Sequence, residues 1–317
     1  MSVLNVEGLE KSYGRRKVVN GVSMVVNQAE IVGLLGPNGA GKSTSFKMTC
    51  GIVKPDRGKV FLGEQDVTNW PLYRRASEGH MGYLAQESSV FRKLTVEQNI
   101  LSIFELLGVS YRERKLRTNQ LLEDFEITHI RRSKAGKLSG GERRRLEIAR
   151  CLVSNPEIIM LDEPFAGIDP VTVQSIQEII AKLRKRGIAI LITDHAAREI
   201  LQTVDRCYVI SKGTVLCEGH PDEVRKHPEV RREYLGDIVA DEAESLAGLA
   251  RESIETSGTV PATAPATTTT THTGGAEPRR PHLMRRRRRV RAPATTTDSS
   301  AAAPTIAPPP RRRKTDV

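Results

Sequence analysis

The octapeptide Gly36-Pro37-Asn38-Gly39-Ala40-Gly41-Lys42-Ser43 constrains this chain more than any other stretch. It fits G-x-x-x-x-G-K-[ST], a loop that wraps phosphate groups. The apolar run Glu30-Ile31-Val32-Gly33-Leu34-Leu35 precedes it and reads as a buried strand. Thr44 to Cys50 follows and can continue as a helix. Glycines let the backbone curl through conformations that other residues resist. Free backbone N–H groups and a helix N-terminus then face the anion. Lys42 supplies a point charge to β- and γ-phosphates, and the Ser43 hydroxyl can ligate Mg²⁺.

A second constellation lies further on. Ile158-Ile159-Met160-Leu161-Asp162-Glu163 reads as a buried strand delivering two carboxylates at its C-terminal end, where ligands sit in open α/β sheets. Asp162 suits Mg²⁺, directly or through water, and Glu163 suits the polarisation of a water that attacks a γ-phosphate. Taken alone, the pair also fits a strand that ends in a helix cap. Between the two motifs runs Leu138-Ser139-Gly140-Gly141-Glu142, with Arg143 to Arg150 behind it as a helix that has Leu146, Ala149, Leu152 and Val153 at core spacing. Ser139 is placed as its N-cap. Two glycines at the helix start make a second anion site, although such a cap is not rare by itself.

In that order, these motifs resemble the ATP-binding subunits of ABC transporters. The resemblance covers residues 3–236 and implies ATP and Mg²⁺ as ligands. It implies that Tyr13 stacks on adenine and that Gly36 to Thr44 hold the phosphates. It implies that Gln86 contacts Mg²⁺ and senses the transport partner, that Asp169 lies at a dimer interface, and that His195 meets the γ-phosphate. It further implies that two copies pair head to tail, so that Ser139, Gly140, Gly141 and Glu142 of one copy close on ATP held by the other. Taken singly, Tyr13 reads as a surface aromatic, Gln86 as a solvated loop residue and His195 as a helix-start residue.

Within the family, Gln86-Glu87 followed by Val90-Phe91-Arg92-Lys93-Leu94, the stretch Asp162 to Pro170, and Tyr234-Leu235-Gly236 are similar to ATPases that power lipopolysaccharide export. The ATPases of branched-chain amino-acid importers are the near alternative. A soluble ABC-type ATPase acting on ribosomes or DNA is a more distant one, disfavoured by the single phosphate loop and short helical insertion. Ala85 and Ala196 depart from the export pattern, where Pro and Asn are usual. The resemblance implies two transmembrane permease chains docking near Gln86 and Phe91, and a cytoplasmic location on the inner face of the membrane.

Composition narrows the rest. No apolar run approaches the ~20 residues that a membrane helix needs, and the start lacks a basic-then-apolar secretion signal. Cys50, Cys151, Cys207 and Cys217 are scattered and read as reduced thiols. The net charge of +11 is uneven: twelve of the 49 basic residues and three of the 38 acidic ones lie from Gly258 onward, so that segment carries +9 and the remainder +2. The near-neutral remainder gives no argument for a dedicated nucleic-acid partner.

The expected fold is α/β: a RecA-like core, an antiparallel β layer from 3–28 and 57–63, and a helical insertion within about 92–150. Helices are expected at Val96–Leu107, Arg112–Phe125, Val171–Arg186 and Ala196–Thr203. Strands are expected at Glu157–Leu161, Ile188–Thr193, Cys207–Ile210 and Thr214–Cys217. Residues 1–236 form the expected ATPase domain and 237–257 a helical extension. Residues 258–317, rich in Thr, Pro, Ala and Arg, form a disordered tail able to attract anionic lipid weakly or to remain a solvated linker.

Overall fold

A computed structural model describes residues 1–236. The expected extension at 237–257 and the basic tail lie outside the described residues.

The chain opens with two long antiparallel strands, β1 (Ser2–Tyr13) and β2 (Arg16–Asn27). β3 (Ile31–Leu35) then leads into α1 (Lys42–Cys50). β4 (Arg57–Leu62), β5 (Gln65–Asp66), α2 (Leu72–Ser77) and β6 (Met81–Leu84) follow. The insertion carries α3 (Val96–Leu106), α4 (Tyr111–Asp124) and α5 (Gly140–Cys151). The chain returns through β7 (Ile158–Asp162), α6 (Pro170–Lys185), β8 (Ala189–Thr193), α7 (Ala197–Thr203), β9 (Arg206–Ser211), β10 (Thr214–Gly219) and α8 (Pro221–Lys226). The expected elements are present with ends shifted by a residue or two. β5, α2, β6 and α8 had no clear sequence signal, being short and weakly patterned.

Two sheets result: an antiparallel layer in the order β2-β1-β4-β5, and a six-stranded sheet in the order β10-β9-β3-β8-β7-β6. In the larger sheet β9, β3, β8, β7 and β6 run parallel, and β10 pairs antiparallel with β9. Both faces of its central strands β3, β7 and β8 are buried, which is why these read as nearly unbroken apolar runs. Successive residues nevertheless serve different cores. Ile158, Met160 and Leu191 face the antiparallel layer together with Phe46 and Met48 of α1. Ile159, Leu161, Ile190 and Ile192 face Leu146 of α5 and Ile176 and Ile180 of α6.

Local signals end the helices where the site needs loops. Asp169 caps α6 ahead of Pro170, and Val173, Ile176, Ile180 and Leu183 form its buried stripe. Thr95 and Gln98 form a capping box that opens α3. No helix among the described residues is long and apolar enough to cross a membrane, and all four cysteines are free.

Candidate functional site

β3, β8, β7 and β6 are parallel neighbours, so their C-terminal ends share one edge of the sheet. That edge collects the phosphate-type loop after β3, His195 after β8, Asp162 and Glu163 at the end of β7, and Gln86 after β6. Such an edge is where open α/β sheets hold ligands.

The loop after β3 is built around two glycines. At Gly36 the backbone has φ 136° and a Cβ would sit 2.0 Å from the Ile210 carbonyl oxygen. At Gly41 φ is 107° and a Cβ would lie 2.7 Å from the Val18 carbonyl oxygen. No other residue type fits either place. Gly41 precedes α1, which has no side-chain cap and no acid in its first turn. Its first N–H groups are therefore open to an external anion. Lys42 is buried, and its Nζ donates to the carbonyl oxygens of Gly36 at 2.6 Å and Pro37 at 2.9 Å. Burial pushes the Lys42 ammonium pKa down while the Glu163 carboxylate pulls it up. A cavity of about 150 Å³ is lined by Asn38, Gly39, Gly41, Lys42, Ser43, Thr44 and His195. Ala40 is buried within the loop and lines, with Pro37 and Arg16, a second cleft of about 470 Å³ on its other flank. Tyr13 lines neither; it is 52 % exposed at the end of β1, paired in register with Arg16.

Glu163 has left-handed backbone at φ 49°, a conformation that costs a non-glycine residue and is concentrated at functional sites. Its N–H donates to the Thr193 carbonyl at 2.7 Å. Its two carboxylate oxygens are held separately: Gln86 Nε2 donates to one at 2.7 Å, and His195 Nε2 lies 2.8 Å from the other. The three expected catalytic residues thus converge on one carboxylate.

Asp162 is buried, with one long contact, the Tyr83 hydroxyl at 3.5 Å. Burial raises its pKa, and the like charge of Glu163 adds to this. A buried carboxylate so poorly partnered fits a cation. No group of three or more His, Cys, Asp or Glu that could hold a metal occurs among the described residues.

Among the described residues no hydrogen bond or ion pair joins Ser139, Gly140, Gly141 or Glu142 to Lys42, Ser43, Gln86, Asp162, Glu163 or His195. Ser139 caps α5 as expected, and Glu142 completes a capping box, accepting from the Ser139 N–H and hydroxyl at 2.8 Å each. The Ser139 N–H, first among these bonds, holds the Glu142 carboxyl below its ordinary range. Glu142 is thus committed to its own helix. Gly140 is exposed, whereas a Cβ on Gly141 would lie 2.4 Å from Thr172 Cγ2. Thr172 in turn bonds Asp169 through its N–H and hydroxyl.

Sequence reasoning missed Arg144 and Asp194. Arg144 is buried and donates to the carbonyls of Ala85, Asp162, Glu163 and Pro164. It also pairs with buried Glu147 at 3.2 Å, which accepts from Ser88 at 2.6 Å. One guanidinium therefore ties α5 to the turns that carry Gln86 and Glu163. The available signal was two charges three apart on the inward face of α5. Asp194 bonds the N–H groups of Phe165 and Ala196, fastening the Glu163 turn to the His195 turn.

Residues 19–166 match the ABC transporter family. The lipopolysaccharide export system ATP-binding protein LptB of Haemophilus influenzae is 48 % identical over 238 residues, 75 % of this chain and 98 % of that protein. A Rhizobium meliloti protein named as an uncharacterized ABC transporter ATP-binding protein is 53 % identical over 234 residues, 74 % of this chain and 86 % of its own length. Among solved structures, an ATP-binding cassette of an ABC transporter in its ADP conformation superposes with a TM-score of 0.67 at 31 % identity, covering 74 % of this chain and 99 % of that one.

Proposed function

The chain belongs to the family of ABC-transporter ATP-binding subunits, and on that premise we propose that it is the ATPase driving lipopolysaccharide export through partner membrane chains. The observation that carries the catalytic part is the Glu163 carboxylate, set at a strand end between Gln86 and His195. The 48 % identity to a protein named for lipopolysaccharide export supports the substrate.

In this reading Lys42 and the open N–H groups of α1 hold the β- and γ-phosphates. Tyr13, beside Arg16 at the hairpin end, stacks on the adenine. Ser43 and Asp162 hold Mg²⁺, which when bound neutralises phosphate charge, with Gln86 nearby. Glu163 accepts a proton from water as the water oxygen bonds to the γ-phosphorus and the bond to the bridging oxygen of ADP breaks. His195 orients the γ-phosphate. Residues 1–236 of two copies pair head to tail, placing Ser139, Gly140 and Gly141 of one against ATP on the other, with Asp169 at their interface. Glu142 acts there through the Ser139 cap. Membrane chains dock beside Gln86 and Phe91, which places the subunit on the cytoplasmic face of the inner membrane. The tail at 258–317 adds weak attraction to anionic lipid.

The test has two arms. Purified Glu163→Gln protein should bind ATP with almost no turnover, and wild type should recover permease chains and lipopolysaccharide from solubilised membranes. Normal turnover by the variant refutes the catalytic assignment. Recovery of an amino-acid permease refutes the substrate alone.

A further inference from the structure

Tyr13 ends β1 at an exposed hairpin tip, and Arg16, Lys17 and Val18 of the return strand line the cleft beside the phosphate-type loop. A ring at such a tip is free to move unless its strand end is tied down. Here it is tied. The main-chain ladder between β1 and β4 runs out at Glu10 and Arg57, where the Asp56 N–H donates to the Glu10 carbonyl at 2.9 Å. Ser12 is the next β1 residue whose backbone faces that side. Its N–H donates to the Asp56 side chain, to Oδ2 at 2.7 Å. One carboxylate oxygen thus adds a rung that the main chain of β4 does not supply. The other, Oδ1, accepts from Lys11 Nζ at 2.8 Å, and Lys11 Nζ also donates to the Lys54 carbonyl at 2.7 Å. Lys11 shares a strand face with Tyr13, two residues on. Its ammonium stands over the Tyr13 ring, 5.9 Å from the centre, at the outer reach of a cation–π contact.

The Asp56 side chain is 46 % exposed, and ion pairs so open to water add little to stability. What these bonds do is fix geometry. Their anchor belongs to the nucleotide site itself. Lys54 and Asp56 follow directly on α1, whose first N–H groups are open to an anion. The N–H groups of Ile52 and Val53 both donate to the Lys47 carbonyl, so the segment leaves the helix in a set direction. One stretch of chain therefore carries the phosphate-binding helix and, just beyond it, grips the strand that presents Tyr13.

We propose that Asp56 and Lys11 are positioning residues for the adenine base. They hold the Tyr13 ring in place relative to the phosphate loop, with Lys11 over one face and the opposite face left for the base. The proposal rests on the reading that Tyr13 stacks on adenine. In this arrangement Asp56 and Lys11 act only through Tyr13, so their effect is confined to ligands that carry a base. A ligand made of phosphates alone meets Lys42 and the start of α1 and is indifferent to them.

The experiment measures ATP hydrolysis by the full chain, with inorganic tripolyphosphate as a competitive inhibitor that has phosphates and no base. Tyr13→Ala sets the scale and should raise KM for ATP about tenfold, within the range of a lost aromatic–base stack. Asp56→Ala should raise it about fivefold, part of that range, with kcat and tripolyphosphate inhibition each within about twofold of wild type. Lys11→Met leaves the Ser12–Asp56 bond in place and should raise KM about threefold, and Lys11→Arg should restore it. Asp56→Ala combined with Tyr13→Ala should cost no more than Tyr13→Ala alone. Wild-type KM in both Asp56→Ala and Lys11→Met, beside a raised KM in Tyr13→Ala, overturns the proposal and leaves the stacking reading intact. Tripolyphosphate inhibition that weakens in step with ATP means that the whole site has loosened and also overturns it, as does full additivity in the double variant. Wild-type KM in Tyr13→Ala refutes the stacking reading, and the proposal falls with it.

Discussion

His195 Nε2 lies 2.8 Å from one carboxylate oxygen of Glu163, a residue held in left-handed backbone at φ 49°. The strain is fixed on both sides: the Glu163 N–H is bonded to Thr193, and its carbonyl accepts from Arg144 at 2.6 Å. The carboxylate is therefore delivered to a set place, and its reach is governed by the two side chains that touch it.

Glu163→Gln keeps the size of the side chain and removes the charge that accepts a proton. Turnover should fall on the order of 10²–10⁴-fold, the usual range for a general base. Binding of ATP by fluorescence or calorimetry should persist. Turnover within a few-fold of wild type would remove Glu163 from the base role.

Asp162 gives a pH-dependent prediction. Its raised pKa means that the folded chain binds this proton more tightly than the unfolded one, so the stabilising effect is complete at acid pH and is lost as pH rises through the folded value. At neutral pH the buried charge is a cost. Asp162→Asn should raise the Tm of the protein without added nucleotide by a few degrees at pH 7, and this gain should shrink as pH is lowered. The same variant should lose the extra Tm that Mg²⁺ and ATP give wild type. A Tm difference that does not depend on pH contradicts the charge argument.

Arg144→Lys keeps a cation for Glu147 but cannot span four carbonyls. Misplacing the Gln86 and Glu163 turns should lower kcat on the order of 10²-fold. ATP affinity, which depends on the α1 end of the site, should change little. A variant with wild-type kcat would show that this network is dispensable for positioning.

Ser139 has a structural task that must be separated from any role across a dimer. Ser139→Ala should cost about 1 kcal/mol through loss of the cap. Ser139→Asn retains a capping group, so stability by chemical unfolding should hold while ATP-dependent dimerisation and turnover fall. Mixing it with Lys42→Ala protein should restore at most one working site per mixed dimer. Normal turnover by Ser139→Asn would argue against a site shared between copies.

Phe91→Ala should leave folding and basal ATPase intact, because the ring is half exposed and the loop is held by Asn99 through backbone groups. Loss of a central aromatic anchor should cost roughly 2–4 kcal/mol of permease affinity. Undiminished recovery of membrane chains by this variant places the docking surface elsewhere.

Much of this protein was determined by local sequence. The Gly36–Ser43 loop declares itself because only glycine fits the contacts at Gly36 and Gly41, and the Ser139 cap and the Asp169-Pro170 helix start are likewise neighbour effects. Strand order is not local. In sequence the site residues run Lys42, Gln86, Glu163, His195, but the sheet places β8 and β7 between β3 and β6. That ordering is what sets Glu163 between His195 and Gln86, and no spacing along the chain encodes it. Arg144 was hidden for the same reason: in sequence it is one of three consecutive arginines, and only packing of α5 against the β6 and β7 turns decides that this one is buried and that its donors meet carbonyls from both of those segments.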